Sequence, residues 1–172
     1  RHIAYVSAPL RSVSRNARMN GVRAACSSSG ARIDVHMGDV AAGQADMEMA
    51  ELGREAALAL HARSCAATGY VAMNDMLAIG LMAGLRQCGR RIPEDVSVIG
   101  IDDLFLGQYV SPALSTVRQP MQEMATAAVE RVLARMKNIG EPAHELVFVP
   151  QLVVRESTTA FAAANPSRSQ QG

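Results

Sequence analysis

The sequence predicts an α/β fold built on a doubly wound, parallel sheet. Short apolar segments alternate with longer helix-like segments from Ile3 to Ile101, in the order βαβαβαβ. The two clearest strand patterns, residues 70–73 and 96–101, each run into polar residues and are separated by one helical pattern. A strand–helix–strand unit makes its two strands parallel, so their carboxyl ends meet at one edge of the sheet, where open α/β sheets bind ligands.

The first half of the chain supplies two strand–helix pairs with recognisable ends. Ser12, Ser14 and Asn16 are candidate amino caps for the first helix, which is expected to extend to about Ser29, and Gly30 is placed to end it. The alternation of apolar residues and the runs of strong helix formers predict strand 3–7, then this helix, then strand 33–37 and helix 44–62.

The pattern changes after Asp103. Residues 104–114 show no clear period, and residues 115–119 predict a short isolated strand. An amphipathic helix follows, opened by Pro120 and closed by Gly140, whose apolar stripe needs a partner surface. The remaining expectations are strands at 146–149 and 152–154 on either side of Pro150, and a disordered tail at 162–172.

Composition narrows the possible functions. A hydrophobic content of 49% and a charged content of 19% are ordinary for a globular protein, and a net charge of +1 argues against a nucleic-acid-binding face on this chain. Single, unpaired Cys26, Cys65 and Cys88 suit a reducing cytoplasm, and no apolar run is long enough to span a membrane. The chain enters a strand directly after Arg1, so we expect it to be part of a longer protein.

No motif supports catalysis. The sequence lacks a dinucleotide or phosphate-binding glycine loop, a nucleophile elbow and any metal-ligand spacing of histidines and cysteines. We therefore expect no enzymatic activity, no cofactor and no metal.

The polar residues after the two strong strands are the candidate ligand-binding residues. Asp102 ends a buried strand, where its carboxylate can accept hydrogen bonds from two hydroxyls of a sugar-like ligand; the alternative is a cap for the turn at 104–106. For Asp103 capping is the better explanation. Asn74 offers a donor and an acceptor to a ligand, whereas Asp75 is expected to cap the helix that begins near Met76.

Arg18 is a further candidate because of its unfavourable position. It lies in the first turn of the predicted helix, where a cation opposes the helix dipole. The alternative is a surface arginine that extends into solvent, and with Arg11 and Arg15 nearby the residues alone slightly favour that alternative.

Several longer motifs resemble a known family, the effector-binding core of lac-repressor and galactose-repressor type (LacI/GalR) bacterial transcription regulators. The matching segments are Arg1 to Tyr5 with Pro9-Leu10, Ser12-Val13-Ser14, Arg18-x-x-Gly21, Ala72-Met73-Asn74-Asp75-Met76-Leu77-Ala78-Ile79-Gly80, Gly89-x-x-Ile92-Pro93-Glu94-Asp95-Val96-Ser97-Val98-Ile99-Gly100-Ile101-Asp102-Asp103, Pro112 to Pro120, and Leu152 to Ser157. They cover nearly the whole chain except 43–69 and the tail.

The resemblance implies a periplasmic-binding-protein-like fold of two lobes, only one of them nearly complete here. Residues 1–114 are then the C-terminal subdomain, 115–142 the crossover strand and helix of the N-terminal subdomain, 143–161 the return strands and 162–172 the tail. The rest of the second lobe, and a helix-turn-helix that binds operator DNA, are expected to precede Arg1.

The resemblance also implies a function and a binding site. The family's ligand contacts correspond to Arg18, Asn74 and Asp102, with Ser14 and Gln119 as further contacts. The expected function is sensing of a sugar-like effector by a cytoplasmic, homodimeric transcription regulator. The alternative is a periplasmic sugar-binding protein of a transporter, which shares the fold; the residues encoded before Arg1 would separate the two.

Two positions depart from the family pattern. Members often carry a large aromatic after the glycine that matches Gly21, and another near position 40, whereas this chain has Val22 and Val40. The effector is therefore smaller or less dependent on stacking, or else Phe105 and Tyr109 replace the missing rings.

Overall fold

A computed structural model describes residues 1–9, 12–38, 46–137 and 145–160 of the 172-residue chain. The strands of these segments form a six-stranded sheet in the order β2-β1-β3-β4-β5-β6. The elements along the chain are β1 (His2–Ser7), α1 (Val13–Ser29), β2 (Arg32–Met37), α2 (Asp46–Ala62), β3 (Gly69–Ala72), α3 (Asp75–Gln87), β4 (Ser97–Ile101), a 3₁₀ turn (Phe105–Gln108), β5 (Ser115–Arg118), α4 (Met121–Lys137) and β6 (Gln151–Val153).

The topology confirms the predicted doubly wound α/β fold. Strands β1 to β5 pair in parallel and β6 joins β5 antiparallel. The chain moves outward from β1 to β2 and then crosses back to β3, so right-handed connections place α1 on one face and α2 and α3 on the other. The strand order therefore reverses between β1 and β3, and in open α/β sheets the carboxyl edge at such a reversal is where ligands bind.

The core lies between the sheet and the α2–α3 pair, which pack closely. Gly80 permits this approach, because a Cβ on it would lie 1.6 Å from the carbonyl oxygen of Ala50. A Cβ on Gly53 would likewise lie 2.1 Å from the carbonyl oxygen of Leu77. The largest fully buried side chains of this core include Tyr5, Leu77, Leu81, Met82, Leu85, Val96, Val98 and Leu114.

The helix ends follow the cap chemistry of the sequence, with one correction. Ser12 caps α1 by accepting from the backbone N–H of Arg15, and Gly30 ends it with φ +66°. Asn74 caps α3 by accepting from the N–H of Leu77 at 2.9 Å. The prediction that Asp75 serves as that cap is wrong: Asp75 is the first helical residue and is fully buried.

Two strand predictions also need correction. The segment expected to be an isolated strand is β5, which pairs with β4 on one side and β6 on the other. Residues 146–149 form no strand; the pairing of β6 begins at Gln151, directly after Pro150, which has no N–H to donate to a ladder.

Helix α4 contrasts with the other helices because none of its residues is buried. Its apolar residues include Met121, Val129, Val132, Leu133 and Met136, all more than half exposed. Assignment of α4 to a second lobe stays a prediction.

No helix in the described ranges is long and apolar enough to cross a membrane. The expectations on Leu10, Arg11, Val40, Gly140 and residues 162–172 lie outside those ranges.

Candidate functional site at the carboxyl edge of the sheet

Three of the predicted site residues meet at the carboxyl edge of the sheet. Arg18 extends from α1, and its Nη2 lies 3.3 Å from Oδ1 of Asp102. Gln119, which follows β5, donates from Nε2 to the same Asp102 oxygen at 2.6 Å. Arg18 also donates from Nη1 to the carbonyl oxygen of Met73, at the end of β3, at 2.8 Å. We call Arg18, Asp102 and Gln119 the edge cluster.

The backbone after β4 is strained where it presents Asp102. Asp102 has φ +112° and Asp103 has φ +54°, a region that non-glycine residues seldom adopt. The N–H of Asp102 donates to the carbonyl oxygen of Val117 on β5 at 2.9 Å, which helps to hold this conformation. Backbone strain of this kind is concentrated at ligand-binding sites, where the surrounding structure maintains it.

The carboxylate of Asp102 is available to a ligand although it is partly shielded. Its side chain is 32% exposed, and both contacts described above use Oδ1. Burial raises the pKa of Asp102, while the Arg18 charge and the Gln119 hydrogen bond oppose that rise. A carboxylate beside a guanidinium offers acceptors and donors together, a combination that suits the hydroxyls of a polyol.

Asn74 and Ser14 take no part in the hydrogen bonds that define the edge cluster. Asn74 follows Met73, whose carbonyl oxygen accepts from Arg18, and the Oδ1 of Asn74 accepts from the N–H of Leu77 and so caps α3. Ser14 is exposed on α1, four residues before Arg18 and hence on the same helix face, with its Oγ 3.3 Å from Ser12 Oγ. Arg18 itself is the sixth residue of α1, about one turn later than expected.

The fully buried carboxylate of Asp75 anchors the segment after β4, which carries Asp102. Asp75 accepts from Thr116 Oγ1 at 2.6 Å and from the N–H of Leu104 at 2.7 Å. A Cβ on Gly100 would lie 2.1 Å from Asp75 Oδ1, so the strand must pass it without a side chain. Burial raises the pKa of Asp75 to about 6, with the nearby Asp102 and Asp103 charges adding to the rise and the two hydrogen bonds opposing it.

Asp103 has a different role from the cap that the sequence suggested. Its carboxylate pairs with Arg118 Nε and with Arg155 Nη2, each at 2.5 Å. Arg155 also donates to the carbonyl oxygen of Leu114 at 2.7 Å, which ties the segment after β6 to β4 and β5. Burial would raise the pKa of Asp103, but the hydrogen bonds and charges of the two arginines lower it overall. Sequence reasoning missed Arg118 and Arg155, because the matching motifs contain them without indicating their partner.

An open hollow adjoins the cluster on the α4 side. It has a volume of about 380 Å³, and its lining includes Asp102, Gln119, Pro120 and Met121. The exposed rings of Phe105 and Tyr109 pack against each other in a tilted arrangement, with centroids 4.7 Å apart and an interplanar angle of 47°. The edge cluster and this hollow thus form an open, charged surface at the carboxyl edge of the sheet.

Fold and site together define a class of protein, the ligand-binding domains with a periplasmic-binding-protein-like fold. The model of the periplasmic binding protein-like domain family matches residues 1–158, and the chain belongs to that family, within it to the effector-binding domains of LacI-family transcriptional regulators.

Curated relatives are named as transcription regulators. The transcriptional regulator MalR of Streptomyces coelicolor is 44% identical over 110 residues, 64% of this chain and 31% of the relative. The ribose operon repressor of Haemophilus influenzae is 36% identical over 147 residues, 86% of this chain and 42% of the relative. The chain therefore spans less than half the length of these relatives, which are regulators and not enzymes.

Solved structures extend the likeness to sugar complexes. A LacI family regulator from Arthrobacter sp. FB24 in complex with lactose is 33% identical with a TM-score of 0.76, over 92% of this chain and 57% of that one. A LacI family regulator from Enterococcus faecium with bound ribose is 27% identical with a TM-score of 0.78, over 93% of this chain and 57% of that one.

Proposed function

We propose that this chain forms one wall of the effector site of a DNA-binding transcription regulator, and that the effector is a sugar or a similar polyhydroxyl molecule. The observation that carries the proposal is the meeting of Arg18 and Gln119 on one oxygen of Asp102 at the carboxyl edge of the sheet. In this arrangement Asp102 accepts from ligand hydroxyls while Arg18 and the Asn74 amide donate to ligand oxygens.

Ser14 and Gln119 complete the proposed ligand contacts. Ser14 shares a helix face with Arg18 and has an exposed hydroxyl. Gln119 orients Asp102 and lines the adjoining hollow. The lactose and ribose complexes of similar regulators support a sugar as the ligand class.

The regulatory step follows from ligand binding between two lobes. An effector that contacts both lobes binds the closed arrangement more tightly than the open one and so shifts the protein towards closure. Residues 115–142 are proposed to contribute the crossover strand and helix of the second lobe. In a cytoplasmic homodimer, closure then changes how two helix-turn-helix heads, outside this chain, meet operator DNA.

The experiment that tests this proposal uses the intact regulator and a panel of sugars, with nucleosides and amino acids as other ligand classes. A ligand at about a hundred times its dissociation constant adds about 2.7 kcal/mol to stability, which a thermal-shift assay detects. We expect at least one sugar to raise the melting temperature and to change the anisotropy of labelled DNA from the regulator's own promoter region. Stabilisation by nucleosides or amino acids alone would contradict the sugar assignment.

A further inference from the structure

A second cluster of chemically active side chains lies at the opposite edge of the sheet. His2 opens β1, Asp34 lies in β2 and Cys65 precedes β3. A ring nitrogen of His2, a carboxylate oxygen of Asp34 and Sγ of Cys65 all lie within 4.8 Å of one another. The edge cluster is at the other end of the strands, about 20 Å away for a six-residue strand at ~3.3 Å per residue.

The sheet register explains why these residues meet. Parallel pairing sets Ala4 beside Asp34, and alternation puts His2 on the same face as Ala4. The backbone turn that follows α2 brings Cys65 to this face, with its N–H bonded to the carbonyl oxygen of Leu60 at 3.0 Å. The side chains of His2, Asp34 and Cys65 are thus held by two adjacent strands and a hydrogen-bonded turn, and not by a free loop.

The side chains of His2 and Cys65 converge on one carboxylate oxygen of Asp34. Nε2 of His2 is 2.9 Å from Oδ2 of Asp34, but the two are not aligned as a hydrogen bond, and this buried nitrogen has no hydrogen-bond partner among the residues that the structure describes. The S–H of Cys65 donates a hydrogen bond to the same oxygen, with 3.6 Å between Sγ and Oδ2. All three residues line a cavity of about 380 Å³.

We propose that His2, Asp34 and Cys65 bind a divalent transition-metal ion of the zinc type. Imidazole nitrogen, carboxylate oxygen and thiolate sulfur are the ligands that Zn²⁺ uses, at about 2.0–2.3 Å from the metal. A tetrahedral centre with such bonds separates its donors by about 3.3–3.8 Å, so the pair at 2.9 Å needs to open by only a few tenths of an ångström. The cavity leaves room for a water molecule as fourth ligand.

The charges at the site balance when one proton leaves. On binding, the S–H bond of Cys65 breaks, its proton passes to solvent and the sulfur lone pair forms the bond to the metal. Thiolate and Asp34 carboxylate then carry two negative charges against the two positive charges of the ion. Arg32 pairs with the other oxygen of Asp34 at 3.6 Å and orients the carboxylate, while its positive charge and that of Arg63 in the lining weaken metal affinity.

The test titrates the untagged, reduced 172-residue chain with Co²⁺, whose bond to a thiolate gives a sulfur-to-metal charge-transfer absorption, and then displaces Co²⁺ with Zn²⁺. We expect one ion per chain, loss of the absorption in Cys65→Ser and its retention in Cys88→Ser, a matched half-buried thiol outside the cluster. Asp34→Asn and His2→Gln are expected to weaken Co²⁺ binding at least tenfold, with circular dichroism confirming the fold.

Two outcomes would overturn the metal site. One is a wild-type chain with no charge-transfer absorption, and the other is an absorption that survives Cys65→Ser. Calorimetry of the wild type in two buffers of different ionisation enthalpy adds a measurement that needs no variant: it is expected to show release of about one proton per Zn²⁺ bound near neutral pH, and no release would contradict thiolate ligation.

Discussion

Helices α3 and α4 have similar amphipathic sequences but opposite environments. Eight residues of α3 are buried, among them Asp75, Leu81 and Leu85, whereas α4 has no buried residue. Helix α3 packs beside α2 and against β3 and β4, while the apolar stripe of α4 is exposed. The comparison teaches that an apolar stripe predicts a buried face but does not identify the surface that buries it.

The largest expected effect comes from making the same leucine-to-alanine substitution in each of the two helices and comparing the loss of stability. Leu81 is fully buried and Leu133 is 53% exposed. Leu81→Ala is expected to lower the free energy of unfolding by about 2–5 kcal/mol, because it leaves a cavity in the core. Leu133→Ala is expected to change it by less than about 0.5 kcal/mol. Urea denaturation of both variants measures the difference, and equal losses would show that α4 is packed in solution.

The first turns of the two helices are expected to differ in pH dependence. Burial raises the pKa of Asp75 from 3.8 unfolded to about 6 folded, so the folded state binds the proton more tightly. The contribution of Asp75 to the unfolding free energy is therefore fully present below pH 3.8 and declines by about 3 kcal/mol as pH rises through 6.

Denaturation of wild type and Asp75→Asn from pH 4 to 7 measures this decline as a change in their difference. Glu123→Gln, an exposed acid in the first turn of α4, is the control and is expected to leave the wild-type profile unchanged. A difference between wild type and Asp75→Asn that is constant with pH would contradict the raised pKa.

A pair of glycines tests the close contact that distinguishes α3. In Gly80→Ala the new Cβ meets the backbone of Ala50, and we expect a loss of about 1–3 kcal/mol. In Gly21→Ala on α1 the new Cβ meets nothing within 4 Å, so a gain of about 0.5–1 kcal/mol is expected from helix propensity. Thermal unfolding of both variants reports the signs; destabilisation by both would show that α1 packs against a further surface.

The fold could be predicted from local patterns because strands, helices and caps are local. Ser12, Gly30 and the apolar runs predicted the βα order, which the structure confirms. The partners of β5 could not be predicted, because a four-residue strand has no sequence signal for its neighbours. The prediction of a strand at 146–149 was wrong for a related reason, because residues with high β-propensity form a strand only when they have a partner strand.

The candidate site could be predicted from pattern only where the strand–helix–strand order fixes the direction of the strands. The carboxyl ends of β3 and β4 had to lie at one edge, which placed Asn74 and Asp102 near each other. Motif resemblance, rather than pattern, raised Arg18 above a surface arginine. The His2, Asp34 and Cys65 cluster escaped sequence analysis, because about thirty residues separate each donor from the next and only the sheet register brings them together.

The central claim, that the edge cluster binds the effector, is tested most directly by calorimetric titration of two aspartate variants in the intact regulator. Asp95 is the matched control, since it pairs with Arg91 on the surface away from the cluster. Using the sugar that the ligand screen identifies, we expect Asp102→Asn to weaken binding by about tenfold or more, as charge-assisted hydrogen bonds of about 1.5–3 kcal/mol are lost, and Asp95→Asn to bind as wild type does. Wild-type affinity in Asp102→Asn would contradict the claim.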